Sequence, residues 1–291
     1  MAARGRVARL IGAVDLGSFR VSAMIAAQVE GGGLEVLGSG HRASGGIRRG
    51  YVTDMDAATY AVRDALEKAE KMAGASIDQV WVGASGAGLA SEIRPAEIAI
   101  SGRRIEDEDI DLLLHAAQAC LEPDGRTVLH AQPARYVLDR ADGVANPRGL
   151  YAERLGVDIH VMLAESAPTR NLVEAVQRAH LEVAGLIATP VAAAEACLSA
   201  EERDVGVAVI EFGAEVTHVS VHVGGMLAGL ETITRGSGAI TDAIASRFGI
   251  RRFQAERLKC RHGSALASPA DHREMIAVLA PGEERREAAP A

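Results

Sequence analysis

Two short stretches of this chain carry residue types that could handle a phosphate. In the first, the apolar run Ala8 to Val14 meets Asp15, then Gly17, Ser18 and Arg20. In the second, Val205 to Ile210 meets Glu211, then Gly213 and Ala214. A strand that ends in a carboxylate and turns through glycine offers backbone N–H groups with no Cβ in the way, which lets a chain wrap an anion. The Ser18 hydroxyl adds a donor, and Asp15 is of the type that holds Mg²⁺ through its water shell. A single Gly-Ser turn is weak evidence, because most such turns only close hairpins. The repetition strengthens it: each turn is followed by a second strand (Val21 to Val29; Val216 to Val223), a glycine turn, and a third strand (Leu34 to Leu37; Met226 to Ile233). Two facing turns of this kind would clamp a polyphosphate.

Other candidate chemistry is weaker. Gly83-Ala84-Ser85-Gly86 lacks the second glycine of a nucleophile elbow, since Ala87 stands there. His218 and His222 lie four apart on a strand and share a face, but scattered surface histidines are the commoner origin of such a pair. Cys120, Cys197 and Cys260 are odd in number and lack Cys-x-x-Cys spacing, which gives no basis for a disulfide framework or zinc site and fits a reducing, cytoplasmic setting. A net charge of -8 argues against nucleic acid as partner.

The elements that must position the turns can be read along the 291 residues, a length for about two domains. His41 to Gly50 is a loop by composition. Thr53 and Asp56 have capping-box spacing ahead of a helix through Ala58, Ala61, Ala65, Leu66, Ala69 and Met72, which Gly74 should stop. Gln79 to Ala84 is a buried strand, completing a strand-helix-strand unit of the parallel kind. From Ser85 to Leu163 the pattern becomes that of an inserted module, with strands near Glu97 to Ile100, Arg126 to Leu138 and Gly156 to Met162. Its helix, Glu106 to Leu121, opens on an acidic run, Glu106 to Asp109, that suits the positive end of a helix. A helix at Pro168 to Ala179, a strand at Leu186-Ile187 and a small-residue helix at Pro190 to Leu198 return to the first core. After the second copy come Gly236-Ser237-Gly238 and helices Ala239 to Phe248 and Phe253 to Lys259. Pro281 to Ala291 has no apolar stripe and reads as disordered. No run approaches the roughly 20 apolar residues of a membrane span.

Further segments carry a family resemblance. Ser44-Gly45-Gly46-Ile47-Arg48-Arg49-Gly50-Tyr51-Val52-Thr53-Asp54, Val80 to Gly86, and above all His130-Ala131-Gln132-Pro133 through Tyr136, Asp139, Asn146 to Leu150 and Arg154-Leu155 resemble the bacterial FtsA family of the actin, Hsp70 and sugar-kinase superfamily. Arg261 to Ala265 closes the match. The resemblance implies an α/β, actin-like (ribonuclease H-like) pair of duplicated domains with an FtsA-type inserted subdomain. The implied division is 1–84 with 164–202 as the first core, 85–163 as the insert, 203–264 as the second core, and 265–291 as the start of a fourth subdomain or a tail. It further implies ATP and Mg²⁺ as ligands, with Asp15, Gly17, Ser18 and Arg20 in the first phosphate loop and Glu211, Gly213 and Ala214 in the second. Gly236 and Gly238 would lie under the nucleotide, and Glu256 and Lys259 would contact ribose and base. Implied partners are the tubulin-like FtsZ, further copies of the chain in a filament, and later division proteins through residues 85–163. Family members lie on the cytoplasmic face of the inner membrane at the division site, through a C-terminal amphipathic helix that this sequence lacks. A sugar- or acetate-kinase-like phosphotransferase of the same superfamily is the rival reading, but no segment outside the nucleotide loops looks built as a base for a substrate hydroxyl.

The second turn departs from the superfamily pattern. It has Glu215 in place of a small residue, Val216 where a Thr hydroxyl is expected, and His218 for an Asp. A carboxylate at Glu215 facing phosphate at about 5 Å would cost roughly 3 kcal/mol at an effective dielectric near 20, unless strand alternation aims it elsewhere. These losses predict nucleotide binding with slow or absent hydrolysis.

Overall fold

A computed structural model describes residues 7–29, 33–86, 88–119, 125–144, 146–266, 268, 275–276 and 289–290. The backbone divides into two compact units, Met1–Thr234 and Arg235–Ala291, a boundary that falls within the 203–264 segment.

In the first unit, β1 (Val7–Leu16), β2 (Arg20–Val29) and β3 (Leu34–Ala43) form an antiparallel meander. The mini-hairpin β4 (Ile47–Arg48) and β5 (Tyr51–Val52) follows, then α1 (Met55–Ala73). The next strand, β6 (Gln79–Ala84), lies parallel to β1. Side chains of β2 alternate between buried and accessible, so Val21, Ala23 and Ile25 face a core completed by Ala61, Val62, Ala65, Val80 and Val82. The helix starts one residue later than the capping-box spacing implies: Asp54, not Thr53, caps it by accepting from the Ala57 N–H at 3.0 Å. Gly74 ends it in the left-handed conformation, as expected. β3 runs six residues past Leu37, through Ala43, so the expected loop His41 to Gly50 holds instead a strand end and a hairpin. The extension is possible because Gly38 and Gly40 have no Cβ. One added at Gly40 would lie 1.9 Å from the Ala65 carbonyl, so the α1 backbone packs directly on β3.

The inserted module is a second sheet of β7 (Ala90–Ala99), β8 (Arg126–Leu138), β9 (Ala141–Val144) and β10 (Arg154–Glu165), in the order β7-β10-β8-β9. Helix α2 (Asp107–Ala119) covers one face around Ile105, Leu113, Leu155, Val157 and Ile159. β10 is central and buried on both faces. The acidic run is only partly a solvated helix end. Asp109 is buried and accepts from the Arg103 guanidinium (2.6 Å from Nη1) and the Glu106 N–H (3.0 Å), which hold its carboxyl down to about 2. The insert's distinctive motif is architectural. Asp139 accepts from the Glu153 and Arg154 N–H groups, Arg148 pairs with Asp107, and His130 Nε2 accepts from the Ala188 N–H. Pro133 stands at a register shift of β8, where its missing N–H does no harm.

Helix α3 (Ser166–Gln177) returns to the first core, β11 (Glu182–Ala188) joins parallel to β6, and α4 (Thr189–Cys197) follows. The first sheet thus has the order β11-β6-β1-β2-β3. A short α5 (Ala200–Val205), absent from the sequence reading, is set by a Ser199–Glu202 capping box. Then β12 (Val207–Phe212), β13 (Thr217–Val223) and β14 (Met226–Ile233) repeat the opening meander. The inward face of β14 packs Leu227 and Leu230 with Leu89, Met162, Ala164 and Ala188.

The second unit contains α6 (Ser237–Phe248) and α7 (Arg252–His262). The expected disordered segment 281–291 lies outside the described residues except for Ala289 and Pro290, which pair with Met275 and Ile276. The Gly31-Gly32 turn, Cys120 and the Leu121 helix end also lie outside them.

Candidate functional site

The two glycine turns have the same construction. Gly17 donates its N–H to the Arg20 carbonyl at 3.1 Å, and Gly213 donates to Val216 at 3.0 Å. In both, the carboxylate is the penultimate residue of the first strand. A Cβ would crowd the accepting carbonyl at either glycine, at 2.9 Å in the first turn and 2.5 Å in the second.

Asp15 and Glu211 come together in the first unit. Burial raises the Asp15 carboxyl to about 6 against a partial counter-pull from Arg20. Burial also raises Glu211, and the Asp15 charge raises it further, while nearby Thr189 draws it back. The Thr189 methyl and Asp15 Oδ1 each lie 3.0 Å from where a Gly83 Cβ would stand, so that glycine makes room for both. Asp15 Oδ1 is buried without a hydrogen-bond partner, and the buried Glu211 Oε2 and Thr189 Oγ1 approach one another without forming a well-aligned bond. A buried polar atom left unpaired costs on the order of 1–3 kcal/mol, and a cluster of this kind is characteristic of a place where a ligand or ordered water supplies the missing contacts.

This donor set fits a hydrated divalent cation. No group of three or more His, Cys, Asp or Glu residues able to cage a metal occurs among the described residues. Mg²⁺, however, is commonly bound through one or two carboxylates, several waters and a phosphate. Thr189, the first residue of α4, was missed by the sequence reading; only its place directly after an apolar strand could have signalled it.

The remaining expected residues are placed as follows. Ser18 Oγ accepts from the Gly50 N–H at 3.3 Å, and Arg20 is exposed at the start of β2. Glu215 does not face the carboxylate pair. Its oxygens accept from Arg48 Nε (3.2 Å) and the Arg49 N–H (2.7 Å). The feared repulsion is thus answered by turning the side chain onto the β4–β5 hairpin.

His218 and His222 are buried, not surface residues. The Nδ1 of His218 meets Thr232 Oγ1 at 3.1 Å, and the Nε2 of His222 meets Ser220 Oγ at 3.2 Å. Across from them, His160 of β10 bonds Ser91 of β7 at 2.6 Å. Burial lowers all three pKa values. The neighbouring His222 lowers His160 further, while Arg203 lowers and Glu195 raises His222. A histidine kept neutral by the fold takes up its proton later than in the unfolded chain. Its stabilising effect is therefore complete above the ordinary value of 6.5 and is lost as pH falls. The denaturation midpoint of the wild type should fall more between pH 7.5 and 5.5 than that of a His160→Asn/His222→Asn variant. Equal slopes for the two proteins would contradict this assignment. Comparing slopes cancels Asp15 and Glu211, whose raised carboxyls act in the opposite sense.

In the second unit, Gly236 is the N-cap of α6 and Gly238 is buried in its first turn. Glu256 and Lys259 share a face of α7 and pair at 2.8 Å. Thr241 of α6 donates to Glu256 Oε2 at 2.5 Å, and Lys259 donates to the Ser237 carbonyl at 3.2 Å. Thr241, fully buried, is the residue here that spacing did not reveal.

Comparison with known proteins matches this arrangement. "SHS2 domain inserted in FTSA" matches residues 86–163, and "Cell division protein FtsA" matches residues 208–290. The chain is 38% identical to Cell division protein FtsA of Agrobacterium fabrum over 254 residues, covering 87% of this chain and 57% of that protein. It is 36% identical to the Rhizobium meliloti protein over 288 residues (96% and 65%) and 30% identical to the Escherichia coli protein over 274 residues (94% and 65%). The chain thus spans less than two thirds of the length of these curated relatives. Among solved structures, the PilM-PilN type IV pilus biogenesis complex superposes with a TM-score of 0.62 at 19% identity, covering 87% of this chain and 70% of that one. The ethanolamine utilization protein EutJ of Carboxydothermus hydrogenoformans gives 0.51 at 16% identity, with 87% and 61% covered. The duplicated meanders, the parallel strands beside the first of them and the inserted sheet define an actin-like protein of mixed α/β class. The chain belongs to the FtsA family of cell-division proteins.

Proposed function

We propose that this chain is the nucleotide-holding and module-bearing part of an actin-like division scaffold. It binds ATP with Mg²⁺ and hydrolyses it slowly or not at all. One observation supports this above the others: two matching glycine turns bring Asp15 and Glu211 together, each with a buried oxygen that lacks a well-aligned hydrogen bond. Two carboxylates alone would repel a polyphosphate, so a cation between them and the ligand is required by charge. When bound, Mg²⁺ would neutralise phosphate charge. Asp15 and Glu211 would orient its waters, Gly17 and Gly213, whose own N–H groups close the turns, would let the chain approach the phosphates, the Ser18 and Ala214 N–H groups would line them, and Arg20 would add positive charge at the rim. Gly236 and Gly238 under the nucleotide, and Glu256 and Lys259 at ribose and base, are assigned on family likeness. The same likeness is the ground for polymerisation, for linkage of the FtsZ ring to the inner membrane, and for contacts of the insert, residues 85–163 on the sequence division, with later division proteins. No helix among the described residues is long and apolar enough to cross a membrane.

Weak turnover follows from the second turn, where Val216 and His218 replace groups that would orient an attacking water. Titrating ATP into the purified protein with Mg²⁺ and with EDTA, alongside a phosphate-release assay, tests the reading. Mg²⁺-dependent binding with little phosphate released is expected. Binding indifferent to Mg²⁺, or brisk release, would overturn it.

A further inference from the structure

The β4–β5 hairpin closes with a two-residue loop, Arg49-Gly50, both residues with positive φ (51° and 75°), the conformation of the tight primed turns. Its tip sits against three parts of the first unit. The Gly50 N–H donates to Ser18 of the first phosphate turn, and the preceding N–H, of Arg49, donates to Glu215 of the second. Gly50 also abuts the end of β6, where a Cβ would come 2.4 Å from the Gly86 Cα. The Arg49 N–H, presented by a left-handed turn beside the Arg48 guanidinium, makes an anion site built from one backbone donor and one side-chain donor. The anion in it is the Glu215 carboxylate, held at 2.7 Å by the Arg49 N–H and at 3.2 Å by Arg48 Nε. The Glu215 side chain is 19% exposed and that of Arg48 75%, so the acid is enclosed while its cationic partner stays at the mouth.

We propose that the β4–β5 tip is a third anion-binding element of this site, taking a phosphate of a polyphosphate ligand, and that Glu215 competes with that phosphate for it. The inference rests on the nucleotide reading above and adds a regulator to it. A phosphate group offers Arg48 and the Arg49 N–H the same paired acceptors as a carboxylate, with more charge. Because Glu215 is tethered beside the donors, it competes at a high effective concentration. Ser18 contributes on the other side: since its oxygen accepts from Gly50, its own O–H is left to point at the ligand.

The test is titration of Mg²⁺-tripolyphosphate and of Mg²⁺-ATP into the wild type, Glu215→Gln, Arg48→Ala and the double variant. Gln keeps a carbonyl acceptor for the Arg49 N–H, so the hairpin keeps that tie. Glu215→Gln should bind tripolyphosphate on the order of tenfold more tightly than wild type. The gain should vanish in the double variant, and the Arg49 amide resonance should move on adding the ligand. No gain in Glu215→Gln, or a gain that persists without Arg48, would overturn the proposal. Mg²⁺-ATP that binds the wild type but no more tightly to Glu215→Gln would leave the nucleotide reading intact and sink this one. Failure of both ligands with every variant would sink both.

Discussion

Asp15→Asn should stabilise the protein by roughly 2–3 kcal/mol at pH 7.5 while removing Mg²⁺-dependent nucleotide binding. Burial lifts the Asp15 carboxyl from 3.8 to about 6, about two pK units at about 1.4 kcal/mol each. The sign follows from linkage. The unfolded chain releases this proton near 3.8 and the folded chain near 6, so whatever stability the protonated group provides is full below 3.8 and lost as pH rises through 6. At neutral pH the ionised Asp15 is therefore a burden on the fold, made worse by Glu211. Asn removes the charge and offers Glu211 an amide donor. Urea denaturation of both proteins at pH 7.5 and pH 4.0 separates this cause from a packing effect: the advantage of the variant should shrink to a few tenths of a kcal/mol at pH 4.0. An advantage equal at both pH values, or none at pH 7.5, would show that the carboxyl is not held out of water as described. A group that destabilises its own fold and is nonetheless placed where two halves of the chain converge is what a binding site looks like in stability measurements.

Gly40→Ala should be the more damaging change, costing more than about 3 kcal/mol, at or beyond the upper end of ordinary overpacking. The new methyl would lie 1.9 Å from the Ala65 carbonyl, 2.7 Å from the Ala69 nitrogen and 2.7 Å from the Lys68 Cβ, so no side-chain rotation relieves it. The first obstruction is helix backbone, which moves only if α1 lifts from β3, and Gly38 next along the strand lets Ala69 and Ala73 approach just as closely. Gly229→Ala is the control. It too lies in a strand, but a Cβ there meets nothing within 4 Å, and the change should be nearly neutral. Comparable losses at the two positions would mean that the close approach of α1 to β3 is not what Gly40 provides.

Much of this architecture is legible in the sequence, for specific reasons. The repeat of a strand, a carboxylate, a glycine turn and two further strands is a periodic signal, and the matching Gly17 and Gly213 turns show that the repeat in sequence is a repeat in backbone geometry. Helix α1 was readable because alanines recur on one face and Gly74 ends it. The β4–β5 hairpin was not. Its strands are two residues each, too short for alternation to register, and its turn residues looked like loop composition. The fate of Glu215 was open for the same reason, since its partners lie more than 160 positions away in the chain. The histidines were misjudged because a buried histidine and an exposed one look alike in a sequence; what distinguishes them is the hydroxyl each meets in space. Thr189 and Thr241 are polar positions in unremarkable surroundings, and only the carboxylates beside them give them meaning.

The way the insert is joined to its host has a consequence of its own. Ala90 pairs across to Leu163, and a Cβ on Gly88 would lie 2.7 Å from the Glu165 side chain, so the chain leaves the first core and re-enters it at one place. For the core, the whole of the intervening sheet and helix is a loop with no span to bridge, and the entropy of closing such a loop grows only with the logarithm of its length. The junction therefore works as a socket. What is plugged into it can change in length and content without altering the fold of the core.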